Sequence, residues 1–223
     1  MAIYLKQFEN HTQYENYING SDAILPNVSI CTTEGDVHYN PYVEPVETRL
    51  VAKFNVTSTS SPTQLFHGTE VSYFSEIEID GIVQPRVVTG YTFDTLGEHT
   101  VKYTLIDPTR IGSSAFIWCS SLTSVTIPNS VTWISSSAFQ RTNLTSIVIP
   151  NTVTYIGGGV FSNCSLTSIV CNAMTAPTIE SYTFQDIKTG GTLTVPQGST
   201  GYDVWMQNDN YYLGKYNWTK VEQ

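Results

Sequence analysis

Between Ile111 and Val170 one phrase of sequence occurs three times. It reads I-G-S-S-A-F-I-W-C-S-S-L-T-S-V-T-I-P-N-S from Ile111, I-S-S-S-A-F-Q-R-T-N-L-T-S-I-V-I-P-N-T from Ile134 and I-G-G-G-V-F-S-N-C-S-L-T-S-I-V from Ile156. Apolar residues align at Ile111/Ile134/Ile156, Phe116/Phe139/Phe161, Leu122/Leu144/Leu166 and Val125/Ile147/Ile169, a spacing of 22 or 23 residues. A repeat of this length is one rung of a solenoid, because a unit so short cannot bury its apolar edge without a neighbour on each side. The expectation is a stack of rungs held by aligned apolar ladders.

Stacking also predicts what the rungs display. In the rung strands the positions between the buried residues are Ser124 and Thr126, Ser146 and Val148, Ser168 and Val170, then Thr194, all small and neutral. Binding hot spots favour Trp, Tyr and Arg, so this face offers poor anchors. A richer ladder precedes the repeat isoleucines: Arg110, Trp133 and Tyr155 occupy equivalent places one residue before Ile111, Ile134 and Ile156. At rung spacing they make a cation–π and aromatic stripe that either grips a glycan or protein edge or serves only to brace the solenoid wall.

The extended pattern V-T-x-I-x-x-x-A-F-x-x-C-x-S-L-T-S-V-x-I-P-N-x-V, matched at Val131, Ile134, Ala138, Phe139, Leu144, Ile147, Ile149 and Pro150, resembles the BspA-type leucine-rich repeat of gut and oral bacteria. The resemblance covers roughly the last half of the chain. It implies a short solenoid used for adhesion or other protein contacts rather than catalysis, and a cell-surface or extracellular location. The start M-A-I-Y-L-K-Q-F-E-N-H shows no basic segment followed by an apolar one, so export would use another route or a leader already removed.

Upstream, residues 46–108 carry strand signals. Period-2 alternation in R-L-V-A-K-F-N-V-T, V-S-Y-F-S-E-I-E-I and H-T-V-K-Y-T-L-I faces Val101, Tyr103 and Leu105 inward, and Asp80-Gly81 marks a two-residue hairpin turn. The segment Y-T-F-D-T-L-G-E-H-T-V-K-Y resembles the closing hairpin of bacterial Ig-like domains, with His99 where Tyr is common, and implies a sandwich of six or seven strands ending near Pro108. Residues 1–45 read as a leader: a capping box at Thr12 and Glu15, then a small hairpin turning at Glu34-Gly35. Its L-P-N-V-S-x-C and V-H-Y-N-P phrases resemble a module of gut-bacterial and prophage-encoded proteins, which implies a docking or assembly segment, the alternative being an arm packed on the next domain.

Downstream, Ala176-Pro177-Thr178-Ile179 opens a degenerate fourth unit, with Phe184 in the place of Phe139 and T-L-T-V-P from Thr192 as its strand. From about residue 197 the tail is aromatic, with Tyr202, Trp205, Tyr211, Tyr212 and Trp218, and resembles the family's Tyr/Trp helix that closes the solenoid. The fold expected for residues 109–223 is therefore a repeat solenoid with a C-terminal cap, and for the whole chain a mainly β protein.

Chemistry is sparse. Only 13% of the 223 residues are charged, with a net charge of −9, and a pI near 4.7 argues against the clustered Lys and Arg that nucleic acid requires. No run of about 18 apolar residues exists to span a membrane as a helix. The four histidines, His11, His38, His67 and His99, form no metal or catalytic spacing, and none lies in the repeats. Glu76, Glu78, Asp80 and Gly81 echo a calcium loop, but Val87 stands where a bidentate Glu is required and the alternation of Ile77 and Ile79 makes the run a strand. Cys119 and Cys164 share a repeat position two rungs, ~10 Å, apart, beyond disulfide reach, and read as buried filler. No catalytic, cofactor or metal residue is assigned. The reading is a non-enzymatic adhesion module binding a protein or glycan. A structural part of a phage-like or surface assembly is the alternative, and a carbohydrate-active enzyme a weaker one, since Ile111 to Val170 contains no Asp or Glu for a carboxylate pair.

Overall fold

The computed structural model describes residues 48–68, 73–209 and 211–223; the leader expected over residues 1–45, with its capping box, hairpin and Cys31, lies outside them. Alternation after Arg49 produces β1 (Leu50–Val56), in which Leu50, Ala52, Phe54 and Val56 are buried and Lys53 and Asn55 exposed. The pair β2 (Thr63–Gln64) and β5 (Gly90–Tyr91) forms a short antiparallel sheet of its own. Strand β3 (Phe74–Ile79) turns at Asp80-Gly81 into β4 (Ile82–Val83), pairing Ile79 with Ile82. Positive φ at both turn residues, 48° and 84°, is the geometry that matches the twist of a tight hairpin. Strand β6 (Gly97–Leu105) buries Val101, Tyr103 and Leu105, as the alternation predicts, and lies between β1 and β3.

An Ig-like sandwich before the repeats is not shown. Strands β1, β6, β3 and β4 form one sheet, and it continues past residue 108 because β1 pairs antiparallel with β8 (Leu122–Thr126), setting Ala52 opposite Val125. Residues 48–223 are one compact unit. Alternation dictates which face of a strand is buried, whereas its edge partner depends on backbone groups that carry no side-chain signature. The same strands were therefore compatible with a sandwich or with an extension of the solenoid sheet.

The solenoid makes about five turns. One wall holds the two-residue strands β7 (Arg110–Ile111), β9 (Trp133–Ile134), β11 (Tyr155–Ile156) and β13 (Thr178–Ile179), paired in parallel. The other holds β8, β10 (Ser146–Ile149), β12 (Ser168–Cys171), β14 (Thr192–Val195) and β15 (Thr219–Glu222), which extend the first sheet to nine strands. Between the walls each rung makes a turn whose amides bond to the next rung: Phe116 N–H to Ala138 C=O at 2.8 Å, Phe139 to Val160 at 3.1 Å and Phe161 to Thr183 at 2.9 Å. No α-helix occurs among the described residues, and no helix there is long and apolar enough to cross a membrane.

These backbone bonds bring the repeat phenylalanines into a spine. Phe116, Phe139, Phe161 and Phe184 are fully buried, with centroids 5.5, 6.0 and 6.0 Å apart and planes within 11° of parallel. Tyr103 meets Phe116 at 5.3 Å from the N-terminal side and Trp205 meets Phe184 at 5.3 Å from the C-terminal side, so neither end ring is left to water. The buried position beside the spine holds the small residues Cys119, Thr142 and Cys164 and, in the fourth rung, Ile187. Thr142 Oγ1 and Cys164 Sγ both donate to the Phe139 carbonyl, at 2.9 and 3.0 Å. Burial pushes Cys119 up to about 12 and Cys164 up to about 11, which keeps both thiols protonated and unreactive.

The tail closes the stack, with turns and a short 3₁₀ segment, Leu213–Tyr216, in place of the expected helix. Tyr202 donates its hydroxyl to Ala173 C=O at 2.8 Å, Trp205 its indole N–H to Pro177 C=O at 3.1 Å, and Trp218 its own to Lys188 C=O at 2.7 Å. Each ring thus covers apolar surface while its polar atom satisfies a rung carbonyl. Strand β15 then supplies a last parallel neighbour, in which Lys220 stands opposite Leu193 and carries its ammonium to Glu222 at 3.3 Å. Phe139→Ala is expected to lower unfolding free energy by about 3–5 kcal/mol, while Ile82→Ala, 68% exposed at the hairpin tip, changes it by less than about 0.5 kcal/mol. Urea unfolding followed by far-UV circular dichroism checks both.

Candidate interaction surface

The first ladder is built by parallel pairing alone. Arg110 is opposite Trp133 and Trp133 opposite Tyr155, so their side chains leave the same wall at successive rungs. The guanidinium carbon of Arg110 lies 4.9 Å from the Trp133 ring centroid, and Trp133 stacks on Tyr155 with centroids 3.7 Å apart and planes 26° from parallel. The structure thus brings all three sequence-predicted residues together. Because Arg110 takes one face of Trp133 and Tyr155 the other, the indole presents its edge outward, and the cation stands exposed at the end of the row.

The ladder ends on a residue absent from the sequence-based set. Tyr155 donates its hydroxyl to Glu180, and that bond, more than burial, pushes the phenol up to about 12. Glu180 also accepts the Gly158 amide at 3.1 Å. The signal was present in the repeat: Gly112, Ser135 and Gly157 occupy this position in the earlier rungs, so Glu180 is a departure from a small residue to a carboxylate.

A second ladder, also unanticipated, runs along the turns. Trp118, Arg141, Asn163 and Asp186 are repeat-equivalent, all exposed and all left-handed, with φ of 65°, 59°, 58° and 54°. The Arg141 guanidinium lies 4.1 Å from the Trp118 centroid. Four residues earlier in each turn a second left-handed position holds Ser114, Ser137, Gly159 and Tyr182. Small residues suit that conformation; a tyrosine there is sterically disfavoured.

The sheet face is plainer. Ser124, Thr126, Asn129, Ser146, Val148 and Asn172 line a shallow depression of about 370 Å³. Upstream, the acidic strand is occupied by its own neighbours: Glu78 pairs with Arg49 at 2.8 Å and Lys102 at 3.6 Å, which holds its carboxyl below the usual range. Asp80 Oδ2 meets His99 Nδ1 at 2.6 Å, and the far ring nitrogen of His99 lies 3.0 Å from the Thr95 carbonyl and 3.3 Å from its hydroxyl. The row resembles an acid, a base and a hydroxyl, but the ring nitrogen is nearer the carbonyl, and its contacts tie Thr95 to the Asp80 turn across the hairpin.

With this geometry in place, the match to known proteins is informative. The family described as BspA type leucine rich repeat region, in six copies, fits residues 109–210. Those residues are a BspA-type leucine-rich repeat region. No curated protein and no solved structure matches the chain. In this repeat region the apolar consensus builds the spine, and the variable positions beside it build the two ladders.

A raised phenol pKa stabilises the fold below the unfolded value of about 10 and is lost as pH rises toward the folded value. The difference in stability between the native chain and Tyr155→Phe is therefore expected to be constant below pH 9 and to shift in favour of the variant between about pH 10 and about 12. Paired urea titrations across that range check it, and a difference that does not change with pH contradicts the Tyr155–Glu180 bond.

Proposed function

We propose that this chain is a non-enzymatic interaction module of the adhesion type, which holds a protein or glycan partner against the wall of its repeats. The observation that carries this reading is the ladder from Arg110 through Trp133 and Tyr155 to Glu180, a row of recognition residues at consecutive rungs on a backbone that cannot change their spacing. A cation at one end, ring edges in the middle and a carboxylate at the other give a surface with direction and charge order. Tryptophan, tyrosine and arginine are also the residues that dominate binding energetics, and here their order is built before any partner arrives.

Two further features support an interaction role over a chemical one. The family is one of repeat proteins that are generally non-enzymatic. The described histidine with a carboxylate neighbour, His99, is engaged in tying its own hairpin. Binding through stacked repeats requires no moving part, which matches a surface whose side chains are braced against one another.

The test is a screen of the full chain against extracellular-matrix proteins and a glycan array, followed by affinity measurement on the hits. Arg110→Ala combined with Trp133→Ala is expected to weaken binding at least about tenfold, as the loss of a hot-spot pair does. Ser146→Ala on the sheet face is expected to leave it unchanged. Full-strength binding by the double variant would place the contact elsewhere.

A further inference from the structure

The third rung departs from the others in a way that opens the wall. Where the first two turns read G-S-S and S-S-S, the third reads Gly157-Gly158-Gly159, so the two positions that bear serine in both earlier turns, now Gly158 and Gly159, carry no side chain. Gly157 matches Gly112 and would meet the Ser136 amide nitrogen at 2.6 Å if it carried one. On either side the neighbouring rungs keep theirs: Ser136, Ser137 and Gln140 before, Glu180, Tyr182 and Gln185 after. The result is a notch of about 670 Å³, within the range of small-ligand sites. Gly159 has a φ of +69° and lines the notch with backbone only, and a side chain at Gly158 would run into the Ser181 carbonyl, at 2.8 Å from its first carbon.

Tyr182 gives the notch its character. It holds the left-handed position that Ser114, Ser137 and Gly159 hold in the other turns, with φ of 65°, and is 48% exposed. A bulky residue retained in a disfavoured conformation and turned toward water is the pattern of a side chain kept for what it touches. Its ring is also differently placed from Trp133, which is sandwiched between two neighbours. Tyr211 meets Tyr182 in a T-shaped contact at 4.3 Å and 67°, so the tyrosine is not stacked flat on another ring.

We propose that this notch is a subsite for a neutral sugar residue, stacked on Tyr182 and hydrogen-bonded by Gln140, Gln185 and Glu180. The chemistry matches from each side. A pyranose ring has an apolar C–H face, which fits an exposed aromatic ring, and a rim of hydroxyls, each both donor and acceptor. Two amides and a carboxylate supply both kinds of partner, and a carboxylate that already takes the Tyr155 hydroxyl and the Gly158 amide still has free lone pairs. Glu180 within the notch and a chain charge of −9 disfavour uronic and sialic acids by like-charge repulsion. The same carboxylate joins the notch to the Arg110 ladder, so one sugar residue sits here while the remainder of a glycan follows the wall. The inference deepens the interaction reading by naming the class of partner.

The experiment is saturation-transfer difference NMR on the full chain with the methyl glycosides of glucose, galactose, mannose and N-acetylglucosamine, and methyl glucuronide as the anionic control. At least one neutral glycoside is expected to receive saturation and methyl glucuronide none. Tyr182→Ser, which copies the residue found at this position in two other turns and so preserves the fold, is expected to weaken the best glycoside about tenfold or more, and Gln140→Ala and Gln185→Ala several-fold each. Ile82→Ala, at the hairpin tip outside the repeats, is expected to change nothing. Absence of saturation from every neutral glycoside, preference for glucuronide, or undiminished binding by Tyr182→Ser overturns the subsite. If the chain nonetheless binds a protein through Arg110 and Trp133, the interaction reading stands and only the sugar assignment falls.

Discussion

Every rung of this protein depends on hydrogen bonds that run along the stack rather than within the unit. The amides of Phe116, Phe139 and Phe161 are satisfied by carbonyls one turn further on, and those of Thr132, Thr154 and Thr178 by carbonyls one turn back, Thr109, Thr132 and Thr154. No unit can meet its own backbone requirement, and none can bury its phenylalanine alone. The rings then stack because the backbone bonds place them one rung apart in the same orientation. Backbone pairing and aromatic packing are in this sense one constraint, and the spine from Tyr103 to Trp205 is its visible result.

A stack so constructed has two open ends, and the molecule treats them differently. At the N-terminal side β1 runs antiparallel to β8, and the buried row Ile79, Val101, Ala52 and Val125 carries the sheet core across the change of strand direction. At the C-terminal side three ring donors, Tyr202, Trp205 and Trp218, take up rung carbonyls, and a parallel strand follows. The first solution uses a sheet and the second uses side chains. Both satisfy polar groups while covering the last apolar layer.

How much of this was legible in the sequence follows from what repetition encodes. Positions that recur with a 22 or 23 residue period were read correctly down to single residues: Ile111, Phe139, Leu144 and Ile147 are buried, and Arg110, Trp133 and Tyr155 stand side by side. Partners that no period specifies were not legible. The alternation of β1 and β6 predicted their buried faces but not that β1 would join β8, and Thr219–Glu222 was lost among aromatic residues that suggested a helix. In the candidate site, Glu180 and Tyr182 were missed for a related reason. They lie in a fourth unit that reads as decayed repeat, and a departure from consensus resembles erosion until the neighbouring rungs show what it faces. Trp118 and Arg141 were missed because their turn position alternates in chemistry from rung to rung and so carries no apolar signature.

The junction of β1 with β8 has a consequence for how such a protein changes over generations. Because the sheet reverses direction there and the spine ends on Tyr103, the array has a defined first rung, and the tail rings define the last. Duplication or loss of a unit can therefore occur only between them, at any internal turn, with each new copy finding the same bonds above and below. Such an event shifts the wall's length by one rung, about 4.8 Å, and alters the distance between the Arg110 cation and the Glu180 carboxylate while both ends keep their seals. The reach of the surface is thus a separable trait, adjustable in whole steps without re-solving the fold.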